Sequence, residues 1–421
     1  MNKHTIAPIQ SKDREVFMDV LRGFAIFGIL IANLTIGGLG WGTNRVESSP
    51  FLLPELDKQL NFLYAMFIEG KFYSIFSLLF GWGIALQIQR GLDKGSDALP
   101  TIRRRLLFML LLGFGHILIW PGDIVLFYAM LGFLLLPLRR FSDRALLITG
   151  AVLICSPIAL YAAKMQWAMV NAPANFLHLI GENVFKQLSG VQSEGDYEAW
   201  FKQANWWGIL QLNIAGIFHR FGYLFLVSRT PKVLGMFLIG FVLGRSNFYK
   251  NIAQHKKTVY WIIGLGLLIG LPANYVLAYY VHNFDGDYYQ LKTNGLYQTM
   301  AYAFGVAPLA LVYVGTFMLG FQTGFGKKIM LVIAPVGKMA FSNYVSHSLV
   351  CQFVFLSQGL NYGGKLGTFY LTVFAIALFT LQILISTVWL RYFNYGPLEW
   401  VWRSLTYGKA QSFTKAQTIL A

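Results

Sequence analysis

Residues 103–123 read RRRLLFMLLLGFGHILIWPGD, and this stretch decides the class of fold. Three arginines precede an apolar run, Leu106–Trp120, in which His116 is the one ionisable side chain. With a rise of about 1.5 Å per residue, such a helix and its flanks match a hydrocarbon core about 30 Å thick. Pro121-Gly122 then makes a tight turn, because proline presets φ and glycine tolerates backbone angles other residues avoid. A second apolar run follows at once and ends on Arg139 and Arg140. The reading is a hairpin of two membrane helices with cations at both loose ends.

The same alternation of apolar run and basic link continues in both directions. The chain has 421 residues, 56% hydrophobic and 12% charged, against about a quarter charged in an ordinary soluble domain. Spans are expected at about 20–39, 71–90, 104–120, 122–138, 143–163, 231–247, 258–281, 297–319, 331–357 and 367–391, most of them close to the roughly 20 residues a bilayer requires. No long polar region divides them. The expected fold is all-α: a polytopic integral membrane protein of about ten transmembrane helices plus interfacial amphipathic helices, forming one transmembrane domain over 1–421. The run at 20–39 has no small-residue cleavage site after it and reads as a retained helix. Cys155 and Cys351 both lie in apolar runs, so neither a disulfide framework nor a cysteine metal motif is expected.

A net charge of +16 raises nucleic acid as a partner, but the basic residues gather in short links, where the positive-inside rule accounts for them. Laid on the ten spans, the side holding both termini carries 22 Lys/Arg against 7 Asp/Glu, the opposite side carries 11 of each, and Lys338 falls inside a span. The richer side should be cytoplasmic, with both termini inside and 392–421 a cytoplasmic C-terminal tail. The longest stretch between spans, 164–230, is then an extracytoplasmic insertion containing Trp167, Trp200, Trp206 and Trp207. It reads as amphipathic helices that lie on the outer leaflet or cap a cavity, with Ile209–Leu226 either interfacial or re-entrant. Leu56–Ile68 reads the same way. No internal repeat of the kind that marks inverted transporter halves is visible.

Ionisable groups within spans cost about 2.5–3.5 kcal/mol on insertion scales, so they mark candidate sites. Asp19 and Arg22, three residues apart, share a face at the cytoplasmic end of the first helix; a snorkelling ion pair is the structural alternative. Asn33 lies eleven residues beyond Arg22 on nearly the same face, about 16 Å further across the membrane. Glu69-Gly70-Lys71-Phe72-Tyr73-Ser74 opens the second span from outside, as a headgroup anchor or as a site lining. His116 stands one turn before the Pro121-Gly122 bend and Asp123 just after it, which brings a histidine and a carboxylate within pairing distance. Such a carboxylate fixes the imidazole tautomer and suits it to act as general base on a hydroxyl or amine. The structural alternative is a buried histidine bonded to a helix carbonyl. In the ninth span, Lys338, Ser342 and Ser346 share one face, with Asn343 and His347 beside them; interhelical hydrogen bonding explains the Ser and Asn residues, His347 is a second candidate base, and Lys338 suits an anion. The remaining histidines show no metal-ligand spacing, and no metal is expected. No Walker loop, dinucleotide fingerprint or nucleophile elbow occurs.

Taken together, these motifs resemble the YeiB-like family of bacterial inner-membrane proteins. The resemblance rests on Asp19-Val20-Leu21-Arg22-Gly23-Phe24 with Asn33, on Gly70-Lys71-Phe72-Tyr73-Ser74-Ile75-Phe76-Ser77-Leu78-Leu79-Phe80-Gly81, and on Arg104-Arg105-Leu106 leading to His116 and Gly122-Asp123. Gly396-Pro397-Leu398-Glu399-Trp400 with Trp402-Arg403 is similar to its terminal signature. That family in turn is similar to the transmembrane acyltransferase superfamily, which implies a cytoplasmic acyl-coenzyme A donor and an acceptor modified outside. Glycan O-acetyltransferases of that superfamily pair an Arg with a His ten residues further along their first helix. Here Arg22 is followed by Asn33, which cannot act as a base. The resemblance then leaves the base to His116, oriented by Asp123. Arg22, Arg104, Arg105 and Lys338 would hold the coenzyme phosphates, while Asn33, Glu69, Lys71, Tyr73, Asn343 and His347 would meet the acceptor. The expected partners are the bilayer, a small-molecule, glycan or lipid acceptor, and a second copy of the chain in a homodimer, with no nucleic acid. A secondary transporter or lipid-handling protein, with the same groups lining its path, is the competing expectation.

Overall fold

A computed structural model of the chain describes residues 15–35, 49–246 and 248–415. Its helices run α1 Val16–Thr35, α2 Pro54–Phe67, α3 Lys71–Asp93, α4 Leu99–Ile117, α5 Val125–Leu138 and α6 Asp143–Gln166. They continue as α7 Ala172–Ser189, α8 Glu194–Gln203, α9 Trp206–Leu226, α10 Arg229–Arg245, α11 Ile252–Tyr289 and α12 Thr293–Phe321. The chain closes with α13 Gly324–Met330, α14 Ala334–Lys338, α15 Ala340–Phe355, α16 Thr368–Tyr392 and α17 Pro397–Tyr407. The described residues form no β-sheet. The molecule is an all-α polytopic membrane protein.

Among the described residues, seven helical stretches are long and apolar enough to cross a bilayer, or eight if the bent pair Gly324–Lys338 and Ala340–Phe355 counts as one. The sequence pattern suggested about ten, and the difference has local causes. α4 begins with Arg103, Arg104 and Arg105 in its first turns, α5 has only 14 residues and α10 only 17. Conversely α9, expected to be interfacial or re-entrant, is a 21-residue helix that meets the length and polarity of a span. Residues 36–39 of the first expected span lie outside the described residues.

Burial sorts the spans into two rings. About two thirds of the apolar window in α1 is buried, against 28% in α6, α9 and α11. The outer helices present large apolar side chains such as Val152, Leu268 and Leu384, the surface a hydrocarbon solvent requires. Inner helices approach closely at small residues: a Cβ on Gly81 of α3 would strike the carbonyl oxygen of Phe237, and one on Gly240 of α10 that of Leu78. Gly70, at φ +81°, turns the chain between α2 and α3 beneath Tyr302. Inside that corner Lys71 is fully buried and donates to the Ala65 carbonyl at 2.8 Å.

α14 and α15 meet at a 74° bend. Breaking a helix frees backbone N–H groups, and here α17 supplies the acceptor. Glu399 accepts from the amides of Phe341 and Ser342 at 2.7 and 3.1 Å and from the Ser342 hydroxyl at 2.5 Å. Burial pushes the Glu399 carboxyl above its ordinary range, and these hydrogen bonds oppose the rise.

Candidate functional site

α4 and α5 form the hairpin read from 103–123, and its turn is tied down by three side chains from two helices. Asn213 of α9 donates to the carbonyls of Leu118 and Ile119 at 2.9 and 2.6 Å, Gln352 of α15 donates to Ile119, and Arg220 reaches the carbonyls of Gly122 and Asp123 at 3.2 and 3.3 Å. Asp123 Oδ2 accepts from the Leu126 amide at 2.7 Å and so satisfies the start of α5. Its other oxygen meets His116 Nδ1 at 2.7 Å, while His116 Nε2 lies 2.9 Å from Ser348 Oγ on α15. With the carboxylate accepting at Nδ1, Nε2 is the acceptor for the serine proton. This is the donor order that activates an oxygen nucleophile or relays its proton. His116, Asp123 and Ser348 are 2%, 1% and 0% exposed, so the cluster lies inside the protein.

Two cavities lie near it, and none of its three residues lines either. A narrow one of about 430 Å³ is lined by Arg22, Arg90, Arg105, Lys338 and Arg403, by the acidic Glu15, Asp93 and Glu399, and by apolar side chains. A wide one of about 1300 Å³ is lined by Asn33, Glu69, Tyr73 and Trp120, and by residues of α7, α9, α10 and α12. Among the described residues, Ile29, Ile124 and Tyr344 line both. α1 runs past the two, with Arg22 in the narrow cavity, Ile29 at the partition and Asn33 in the wide one. α4 does the same from Arg105 to the Trp120 turn. The His116 ring packs against Tyr344, their centroids 5.0 Å apart. The partition and the buried cluster are therefore one packed unit.

The sequence candidates separate on this geometry. Arg22 binds Asp19 at 2.9 Å and lines the narrow cavity, as do Lys338 and Arg105, whose guanidinium lies 4.4 Å over the Trp402 ring. Arg104 is exposed and lies near Phe108, away from that cavity. Asn33, Glu69 and Tyr73 line the wide cavity. Lys71, Asn343 and His347 line neither: Asn343 donates to Ser386 at 3.0 Å and His347 Nε2 meets Gln382 at 3.0 Å, joining α15 to α16. The insertion at 164–230 supplies much of the wide cavity's wall, through residues such as Phe185, Tyr197, Arg220 and Tyr223.

Sequence reasoning passed over Ser348, Tyr344, Arg220, Arg229 and Lys232. Arg220 stands in a largely apolar run beside His219, and Arg229 and Lys232 stand three apart at the head of another, which is the signal that marks them. Ser348 carries no such signal, since serine is common in packed membrane helices.

The fold and its buried cluster define a multi-pass membrane protein with paired internal cavities. Residues 243–409 match the family model described as "Protein of unknown function (DUF418)". Over nearly its full length the chain is similar to "Uncharacterized protein YxaH" of Bacillus subtilis, 28% identical across 98% of both chains. It is likewise similar to "Uncharacterized protein YeiB" of Escherichia coli, 28% identical over 94% of this chain and 96% of that one. A protein encoded in the amylase 3' region of Bacillus acidopullulyticus is 27% identical over 96% of each. Over nearly its full length the chain is thus similar to these YeiB-like proteins. No solved structure matches it.

Proposed function

We propose that this protein is a membrane-embedded acyltransferase that passes an acyl group from cytoplasmic acyl-coenzyme A to an extracytoplasmic small-molecule, glycan or lipid acceptor. The observation that carries this reading is the shared partition: two cavities, one lined by Arg22 and the other by Asn33, meet at Tyr344, against which His116 is packed. In this reading the narrow cavity takes the donor, with its phosphates on Arg22, Arg105 and Lys338 and the pantetheine arm running along α1 and α4. His116 is the general base, oriented by Asp123. It takes the acceptor's hydroxyl or amine proton, relayed by Ser348 Oγ once Tyr344 turns aside. The acceptor atom bonds to the thioester carbonyl, the C–S bond breaks, and the imidazolium returns the proton to the departing thiolate. The excess of 22 basic over 7 acidic residues on the terminal side supports a bacterial inner-membrane orientation with both termini cytoplasmic.

The test uses protein purified in neutral detergent. Acyl-coenzyme A should raise its melting temperature, and radiolabelled acyl groups should move to a membrane extract with wild type but not with His116→Ala. Failure of every acyl-coenzyme A from acetyl to palmitoyl to stabilise the protein would sink the donor assignment. The size of the wide cavity favours a second reading, a transporter or lipid-handling protein, since about 1300 Å³ exceeds an ordinary pocket of about 300–1000 Å³. That reading expects flux into liposomes without covalent transfer.

A further inference from the structure

The wide cavity lies at the end of the bundle where the links hold equal numbers of basic and acidic residues, yet its lining is not balanced. Lys186, Arg220, Arg229 and Lys232 line it against Glu69 and Glu182. Three of the cations converge from two consecutive helices, α9 and α10. Arg229 lies 4.3 Å over the Tyr73 ring and donates to the Tyr302 hydroxyl at 3.3 Å. Lys232, only 8% exposed, points its ammonium at the Tyr302 ring from 4.0 Å. Arg220 spends one nitrogen on the Gly122 and Asp123 carbonyls, while its Nε is buried without a hydrogen-bond partner. Among the described residues none of these three has a carboxylate within ion-pair distance. Two further lining atoms, Asn213 Oδ1 and Gln298 Oε1, are also buried without partners.

Cations stacked on aromatic rings, with no carboxylate among the described residues at ion-pair distance, are held in place but not paired. Burying them in this way is costly unless an anion completes the site. We propose that the wide cavity binds a phosphate group carried on an apolar tail, with Arg220, Arg229 and Lys232 as the phosphate cradle. Arginine forks and a lysine point charge together match a tetrahedral oxyanion. The tail follows from the remaining wall: Phe72, Phe127, Phe185 and Leu224 line the same cavity, whose volume far exceeds a bare phosphate ion. Its outer helices α7 and α9 carry exposed Phe176, Trp206 and Trp207, which suit a bilayer surface from which an amphiphile enters. The site uses none of the residues assigned to the donor or to proton transfer, although it occupies the cavity that the acyl-transfer reading gives to the acceptor.

The experiment measures thermal stabilisation of the full chain in dodecyl maltoside by added dodecyl phosphate, inorganic phosphate and dodecyl trimethylammonium. Dodecyl phosphate is expected to stabilise the protein, with apparent affinity at least about tenfold weaker in Arg229→Gln/Lys232→Gln. Inorganic phosphate acting as strongly as dodecyl phosphate overturns the tail; equal stabilisation by the ammonium amphiphile overturns the phosphate. Because the double variant removes buried contacts and risks misfolding, a diazirine-bearing alkyl phosphate provides a test on wild type alone. Labelling of α9, α10 and α12 supports the site, and labelling confined to lipid-facing residues of α11 and α16 overturns it.

Discussion

The two cavities use cations in opposite ways. In the narrow one, arginines are paired or packed by their own surroundings: Arg22 on Asp19, Arg105 on Trp402. Its cations lie on the side that carries the excess of basic residues, where any membrane protein with this orientation would place them. In the wide one, Arg220 stands within α9 and Arg229 and Lys232 in the first turn of α10, stacked on rings and, among the described residues, with no carboxylate at ion-pair distance, on the side where the positive-inside rule gives no reason for them. A cation that already has its own carboxylate is weaker evidence for a ligand than one walled into a cavity with none at ion-pair distance.

The sharpest way to break the comparison is at the partition between the cavities. His116→Ala should lower acyl transfer by about a hundredfold to ten-thousandfold, the usual contribution of a general base. Because it also strands Asp123 and Ser348, it should cost about 1–3 kcal/mol of stability. Ser348→Ala loses the relay but leaves the His116–Asp123 bond, so comparing transfer rates and melting temperatures of the two variants separates chemistry from packing. Next in size, Arg22→Gln and Arg105→Gln should each weaken acyl-coenzyme A binding by about tenfold or more. Neither should alter dodecyl phosphate binding, and a matched loss at both would mean that the cavities are not separate sites.

The narrow cavity was largely legible in the sequence and the wide one was not. Spacing along single helices placed Arg22 opposite Asn33 and Arg105 opposite His116, because a helix converts residue count directly into distance. The turn at Pro121-Gly122 likewise foretold the His116–Asp123 contact, now seen at 2.7 Å. Ser348 lies 232 positions from His116, and no local pattern encodes which helices pack together. Counting charges by side of the membrane also concealed the wide cavity. Eleven basic and eleven acidic residues cancel in a sum, while the fold sends Arg220, Arg229 and Lys232 inward and leaves Asp196 and Asp287 in peripheral segments. The insertion at 164–230 looked like an interfacial cap, and its helices do wall the cavity, but their cations carried no motif.

A smaller effect is expected at Tyr344, whose ring belongs to both cavities. Tyr344→Ala shortens the wall that keeps water from a thioester, so hydrolysis of acyl-coenzyme A without acceptor should rise several-fold. Tyr344→Phe keeps the ring and should not show that rise. Release of free coenzyme A, followed with a thiol reagent, reads the difference, and equal rates in the two variants would remove the ring from the partition.

The smallest expected effect concerns how the narrow cavity is held. Glu399 lines it while capping the broken start of α15, and burial raises its carboxyl above the ordinary value. A raised carboxyl pKa means that the folded state takes up its proton more readily than the unfolded chain does. The resulting stabilisation is fully present below the unfolded pKa of about 4.3 and is lost as pH rises through the higher folded value. Glu399→Gln keeps an oxygen for the Phe341 and Ser342 amides but has no proton to exchange. The melting temperature of wild type minus that of Glu399→Gln should therefore fall as pH is raised from 4, by a degree or two (about 1–2 °C) in a chain of this size. Glu399→Ala, which removes the cap as well, should cost about 1–2 kcal/mol beyond Glu399→Gln. A difference between wild type and Glu399→Gln that stays flat from pH 4 to 8 would show that the amides and the Ser342 hydroxyl offset the cost of burial, leaving the narrow cavity's frame insensitive to protons.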